Sequence, residues 1–166
     1  MRRRLLNKEQ VSTEQLSAEK KAAYHYAVRL LTHREFCESD MRQRLAGREF
    51  EDTVISWTIN QLQQDGYLSE MRFAESYLRS RLKKGEAPWL AAKRAEQKGA
   101  RSDAVQAALA ELCENYNAEQ AAHDLIQTRD PGGLRFDEER VWQRQARFLR
   151  NKGFNADIIL RVLKQR

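Results

Sequence analysis

Apolar residues return every three or four positions along most of this chain, and glycines interrupt them at intervals, which predicts a series of short amphipathic helices. From Ser17 to His33-Arg34, the residues Tyr24, Ala27, Val28 and Leu31 mark the apolar face of a first helix. Residues 1–17 are polar, contain three consecutive arginines and hold no sustained period, so they read as a basic, flexible arm. A short second helix follows, with Phe36 before a candidate cap at Cys37, Met41 and Leu45 inward, and Gly47 closing it. Phe50 opens a third, whose inward residues are Val54, Ile55, Ile59 and Leu62, and Gly66 ends it.

The stretch after Gly66 is the most informative. Ser69 is placed to cap a fourth helix over 69–84, with Leu68 positioned to staple onto Phe73 and with Tyr77 and Leu78 inward. Gly85 stops that helix, Pro88 suits the first turn of a fifth, and Gly99 ends the fifth. Ser102-Asp103 starts a sixth with Val105, Leu109 and Leu112 inward. Asn117 with Gln120 resembles a capping box for a seventh, lined by Ala121, Ala122, Leu125 and Ile126. After the break at Asp130-Pro131-Gly132-Gly133, Phe136 and Asp137 begin an eighth helix through Val141, Trp142, Phe148 and Leu149 to Gly153. The ninth runs from Asn155 through Ile158, Ile159, Val162 and Leu163 to the end.

The helices repeat in threes. Aligning Phe50 to Ile55, Ala100 to Val105 and Phe154 to Ile159 brings Ile59, Leu109 and Leu163 into register, each unit carrying a glycine before its last helix. The expected organisation is all-α, with three tandem three-helix modules over 18–67, 68–115 and 116–166 after the arm, forming an elongated, curved stack. Seven glycines and two prolines are too few for a turn-rich β fold.

Charge narrows the partner. Thirty Lys and Arg against 24 Asp and Glu give +6 and a pI near 9.5, which points to an acidic partner, either nucleic acid or an acidic protein surface. The positive charge is uneven. Arg79, Arg81, Lys83, Lys84, Lys93, Arg94, Lys98 and Arg101 surround Gly85 with only Glu86 and Glu96 opposing, and Arg144, Arg147, Arg150 and Lys152 recur on the eighth helix. Spacing by three puts Arg144, Arg147 and Arg150 on one stripe, suited to tracking a phosphate backbone. Glu111, Glu114, Glu119, Asp124 and Asp130 make the intervening region acidic. Trp57, Trp89 and Trp142 read as packing residues, with base stacking as the alternative.

No catalytic constellation is visible. His25, His33 and His123 have no ligand-spaced partner, and the chain has no Gly-rich phosphate loop or nucleophile elbow. Cys37 and Cys113 stand alone, which fits a reducing compartment. No apolar run approaches the 18 or so residues of a membrane span. A soluble, cytoplasmic, monomeric non-enzyme without cofactor, metal or membrane association is expected.

The segment Gly66-Tyr67-Leu68-Ser69-Glu70-Met71-Arg72-Phe73-Ala74, followed by Tyr77, Arg79, the Lys84-Gly85 turn with Pro88, and Lys98-Gly99, resembles the central motif of the RecX recombination regulators. Leu30-Leu31, Arg34 and Ser39 to Leu45 are similar to that family's first-module pattern, and Phe148 to Phe154, with Gly153-Phe154 at its end, to its last, so the resemblance spans about residues 22 to 166. There are departures: Ser69-Glu70 stands for an acidic pair, Cys37 for a capping serine, Glu86-Ala87 for other residues before Pro88, and Arg94-Ala95 for Glu-Leu. The resemblance implies three three-helix modules and no enzymatic activity. It also implies a partner, the RecA recombinase filament on single-stranded DNA, whose extension is limited or whose disassembly is promoted, damping strand exchange, ATP hydrolysis by RecA and the SOS response. Direct DNA contact through the basic residues named above is the corresponding expectation. A helical nucleic-acid binder that acts by competing for DNA is the alternative, and an adaptor scaffold for an unrelated protein a third.

Overall fold

The structure is a computed structural model that describes residues 2–132 and 139–164, with backbone alone over 2–13. Among the described residues there are nine helices and no strand: α1 Arg2–Leu31, α2 Glu38–Ala46, α3 Asp52–Gln64, α4 Glu70–Lys83, α5 Pro88–Gln97, α6 Ser102–Leu112, α7 Ala118–Arg129, α8 Glu139–Asn151 and α9 Ala156–Lys164. The chain divides into two compact units. One comprises residues up to Ala74 with Lys98–Arg101, the other Glu75–Gln97 with the residues from Ser102 onward.

Most helix limits fall within two residues of those predicted. Ser69 Oγ accepts from Arg72 N at 3.3 Å, as a cap should. Asn117 accepts from Gln120 N at 3.0 Å, but the Gln120 side chain turns to Asp124 at 2.8 Å instead of closing the box. Asn155 caps α9 through Ile158 N at 2.9 Å. One expectation differs. Helix α1 begins at Arg2, where a polar arm up to residue 17 was expected, because the residues ahead of Ser17 include no proline or glycine to stop the helix and are mostly good helix formers. Gly47 closes α2 as expected, in right-handed backbone at φ −66°, and the left-handed turn residue before α3 is Glu49, at φ 63°, after α2 tightens through Arg48 N to Leu45 O and Glu49 N to Ala46 O. The predicted start of α8 at Phe136 and Asp137 lies outside the described residues.

In the first unit, α1, α2 and α3 pack on one another around Ala23, Ala27, Phe36, Met41, Leu45, Val54, Ile55, Ile59, Leu62 and Leu68. Cys37 holds the extended backbone of an N-cap, yet its buried thiol makes no cap bond and instead reaches Lys98 O at 3.4 Å. Glu70 takes over part of that duty. Its two carboxylate oxygens accept from Glu38 N at 2.6 Å and Arg101 N at 2.9 Å, placing negative charge at the N-termini of α2 and α6. The hydroxyl of Tyr24 donates to Asp65 Oδ2 at 2.5 Å and ties α1 to the end of α3. In the second unit, α7 and α8 pack on α9 around Ala122, Ile126, Leu149, Phe154, Ile159, Val162 and Leu163, and α5 packs on α6 through small faces at Ala91, Ala95, Val105 and Ala108.

One ending recurs at three helices. At Gly66, Gly85 and Gly153, each with positive φ, the glycine N–H bonds back to the residue three before it, and the next N–H to the residue five before that one. This Schellman geometry satisfies the orphan carbonyls and turns the chain sharply. The surroundings differ: a Cβ on Gly66 would meet nothing within 4 Å, whereas one on Gly153 would lie 2.9 Å from Leu90 Cβ and 3.2 Å from Ala87 Cβ. Gly66→Ala should therefore cost only left-handed strain, about 1 kcal/mol. Gly153→Ala should add overpacking and cost about 2–4 kcal/mol, read as a lower urea midpoint at unchanged m-value.

The carboxylate of Asp65 pushes the Tyr24 phenol from 10.0 up to about 12, first through the hydrogen bond and then through burial and charge. Because the folded value lies above the unfolded one, this contribution to stability is complete below pH 10 and is lost as pH rises from 10 toward 12. Tyr24→Phe should flatten the stability profile in that window, and absorbance titration of the native variant should lack a late-ionising tyrosine that the wild-type chain shows.

Candidate functional site

The basic residues around Gly85 and those on α8 are far apart in sequence, and the second unit brings them together. Two Schellman turns, α4–α5 and α8–α9, are fastened to each other: Ala87 N donates to Lys152 O at 2.7 Å, Lys152 Nζ to Lys84 O at 2.6 Å, and Trp89 Nε1 to Gly153 O at 2.5 Å. Trp89 is thus a packing residue with its indole N–H satisfied, although 56% of it remains exposed.

Beside this junction lies a groove of about 450 Å³ whose lining includes Lys83, Lys84, Leu125, Thr128, Arg129 and Phe148. The Arg129 guanidinium sits 4.3 Å from the Phe148 ring centroid and Lys152 Nζ 5.8 Å from it, so one aromatic ring gathers two cations. Arg129 also lines a neighbouring pocket of about 300 Å³ with Asp130, Val141, Arg144 and Gln145. Gln145 is 3% exposed and its Oε1 has no hydrogen-bond partner among the described residues. Helix α8 buries Val141, Gln145, Ala146 and Leu149 and leaves Arg144, Arg147 and Arg150 exposed, which is the expected stripe. Lys83, Lys84, Arg129 and Arg144 therefore line adjoining hollows, with Arg129 common to both.

Other candidates are placed differently. Glu86 is 6% exposed, and its Oε1 accepts from Arg81 Nη1 at 3.2 Å and from Arg94 Nη1. These two arginines neutralise a buried carboxylate, and both are partly buried. The hydrogen bond to Tyr77 and the nearby Glu86 charge push the Arg81 guanidinium up further, so it stays charged. Arg79 and Lys93 are exposed on α4 and α5, and Lys98 is exposed in the first unit. Of the motif residues, Arg72 donates to Glu35 at 3.0 Å, to Gly66 O at 2.8 Å and to Tyr67 O at 2.9 Å, clamping the α3–α4 turn. Leu68, Phe73 and Phe154 are buried; Tyr67 is 49% exposed, and Gly99 has φ 88°.

Sequence reasoning missed Arg129. Its neighbours Asp124 and Asp130 give the local stretch an acidic cast, and only the packing of α7 on the α8–α9 pair turns it toward Phe148. Among the described residues, no group of His, Cys, Asp and Glu is arranged to hold a metal ion, and no helix is long and apolar enough to cross a membrane. Burial pushes the Cys37 and Cys113 thiols up from their ordinary value, so both remain thiols at neutral pH and neither is an activated nucleophile.

The same architecture is found in known proteins. Residues 23–62 match the model of the RecX first three-helix domain, and residues 117–163 that of the RecX third three-helix domain. The chain is 30% identical over 145 residues to the regulatory protein RecX of Legionella pneumophila (strain Corby), covering 86% of this chain and 93% of that protein. The chain belongs to the RecX family. The regulatory protein RecX of Halorhodospira halophila is similar too, at 31% identity over 131 residues, covering 79% of this chain and 80% of that protein. Among solved structures, RecX from Lactobacillus salivarius superposes with a TM-score of 0.72 at 19% identity over 90% of this chain and 97% of that one, a likeness of fold. A RecX member with these helices is a regulatory protein by family, and the Glu86 departure acquires a local explanation as the anion between two RecX arginines.

Glu86→Ala should destabilise the second unit by about 2 kcal/mol, since it leaves two half-buried guanidinium groups without their shared carboxylate. The double variant Glu86→Ala/Arg94→Ala should lose less than the sum of the singles, measured by urea denaturation in a double-mutant cycle.

Proposed function

We propose that this RecX protein is a non-catalytic negative regulator of RecA, which binds the RecA–single-stranded DNA filament, limits its extension or promotes its disassembly, and so damps recombination and the SOS response. Family membership supplies the regulatory role, and the observation that supports a polyanionic target is the set of basic hollows in the second unit, where Lys83, Lys84, Arg129 and Arg144 converge. Exposed Arg79, Lys93, Arg147 and Arg150 extend that basic character. The division into three modules over 18–67, 68–115 and 116–166, acting as a cytoplasmic monomer, is part of the same proposal. A chain of repeated modules engaging several protomers gains effective concentration, so weak contacts per module suffice for useful occupancy.

The rival reading is a helical DNA binder that acts by competition, favoured by the pairing of cations with the half-buried Phe148 in the groove. The two separate in one experiment. RecA ATP hydrolysis on single-stranded DNA is followed with this protein added after filament assembly at far fewer copies than RecA, beside a titration of naked DNA. Inhibition at concentrations that leave naked DNA unbound is expected; inhibition only as DNA saturates establishes the competitor, and no inhibition overturns both. For direct phosphate contact, Lys84→Gln and Arg147→Gln should each lower the slope of log affinity against log salt by up to about 0.7 on single strands, and an unchanged slope removes that residue from the contact set.

A further inference from the structure

The first unit carries a cluster of arginines that lies outside the hollows described above. Arg48 Cζ stands 4.7 Å and Arg29 Cζ 5.9 Å from the Tyr26 ring centroid; Arg34 Cζ stands 4.3 Å and Arg44 Cζ 5.9 Å from that of Phe36. All four arginines are exposed, while Phe36 is buried and Tyr26 half-buried in the core of α1, α2 and α3. The rings are thus fixed platforms. Arg44 lies in the last turn of α2 and Arg48 in the turn that follows it, where Arg48 N bonds back to Leu45 O, so the Phe36 and Tyr26 groups adjoin at the end of that helix.

Three nearby carboxylates are spent elsewhere. Glu38 pairs with Arg42 at 2.9 Å and also accepts from Gln63, Glu35 pairs with Arg72 at 3.0 Å, and Glu70 caps two helices. Asp40 approaches the cluster, 4.0 Å from Arg34, a side chain still 53% exposed, and Glu49 follows Arg48 in the chain with its side chain in solvent. A guanidinium held over a ring keeps its in-plane N–H donors pointing outward, the geometry that accepts a phosphate in a bidentate fashion. Four such groups on one small surface gain most from a polyanion that carries condensed counterions, which binding releases; isolated carboxylates on a protein release none.

We propose that Arg29, Arg34, Arg44 and Arg48, held on Tyr26 and Phe36, form a second phosphate-binding surface that takes the backbone of single-stranded nucleic acid. The proposal rests on the reading above only in that single-stranded DNA is part of the target.

The wild-type chain is treated with an arginine-selective dicarbonyl reagent, with and without an oligothymidylate, and modification is mapped by mass spectrometry. Arg29, Arg34, Arg44 and Arg48 are expected to be protected by the oligonucleotide while Arg42 and Arg72 are unchanged; modification of the four at the same rate with and without it overturns the surface. In parallel, Arg44→Gln/Arg48→Gln should weaken oligothymidylate binding at least tenfold at low salt and lower the salt slope by about 1.4, two sites at about 0.7 each. The charge-matched control Lys21→Gln/Lys164→Gln should change binding less than about twofold. Equal losses in both variants, or displacement of the oligonucleotide by polyglutamate of matched charge, would make the patch a general basic or acidic-peptide surface and overturn the assignment. RecA ATP hydrolysis is measured on the same samples. Protection without RecA inhibition keeps the surface and removes the regulator reading, whereas RecA inhibition by a chain whose four arginines are unprotected removes the surface and keeps the regulator.

Discussion

The second unit depends on the fastening of one helix-ending turn to another. A main-chain donor at Ala87, a side-chain ammonium at Lys152 and an indole N–H at Trp89 each find a carbonyl on the opposite turn. Those carbonyls are available because Gly85 and Gly153 reverse the chain with positive φ and leave the ends of α4 and α8 tightly closed. Without that reversal the turn carbonyls would point elsewhere, and the lysines of α4 and the arginines of α8 would have no reason to share a surface. Backbone hydrogen bonding thus sets where the charge goes.

Charge itself is divided between two tasks. Arg42, Arg72, Arg81 and Arg94 hold carboxylates of the chain, two of them on the buried Glu86, and they serve the fold. Arg129, Arg144, Lys83 and Lys84 line open hollows, and Arg29, Arg34, Arg44 and Arg48 stand on aromatic rings at the surface of the first unit. A partnered guanidinium projects less net field beyond its carboxylate than an unpartnered one, while Arg81 and Arg94, sharing one carboxylate, keep a net positive charge. A net charge of +6 therefore understates how strongly particular patches are basic.

The sequence by itself determined the helices and most of their ends. Spacing of apolar residues, caps at Ser69, Asn117 and Asn155, and glycines at 66, 85 and 153 are local signals, and local hydrogen bonds execute them within a few residues. The stripe at Arg144, Arg147 and Arg150 was legible for the same reason, being a periodicity of one helix, and the family motif because it is a continuous run of local helix and turn signals. Where a signal was weak, the reading erred: α1 extends through a polar stretch that nothing stops. What only the tertiary structure decided is which charges are spent and which remain. Glu86 meets Arg94 across eight positions, Arg129 meets Phe148 across a break, and Arg48 meets Tyr26 from the turn after α2. Such pairings depend on packing between helices, and side-chain charge carries no local pattern that foretells its partner.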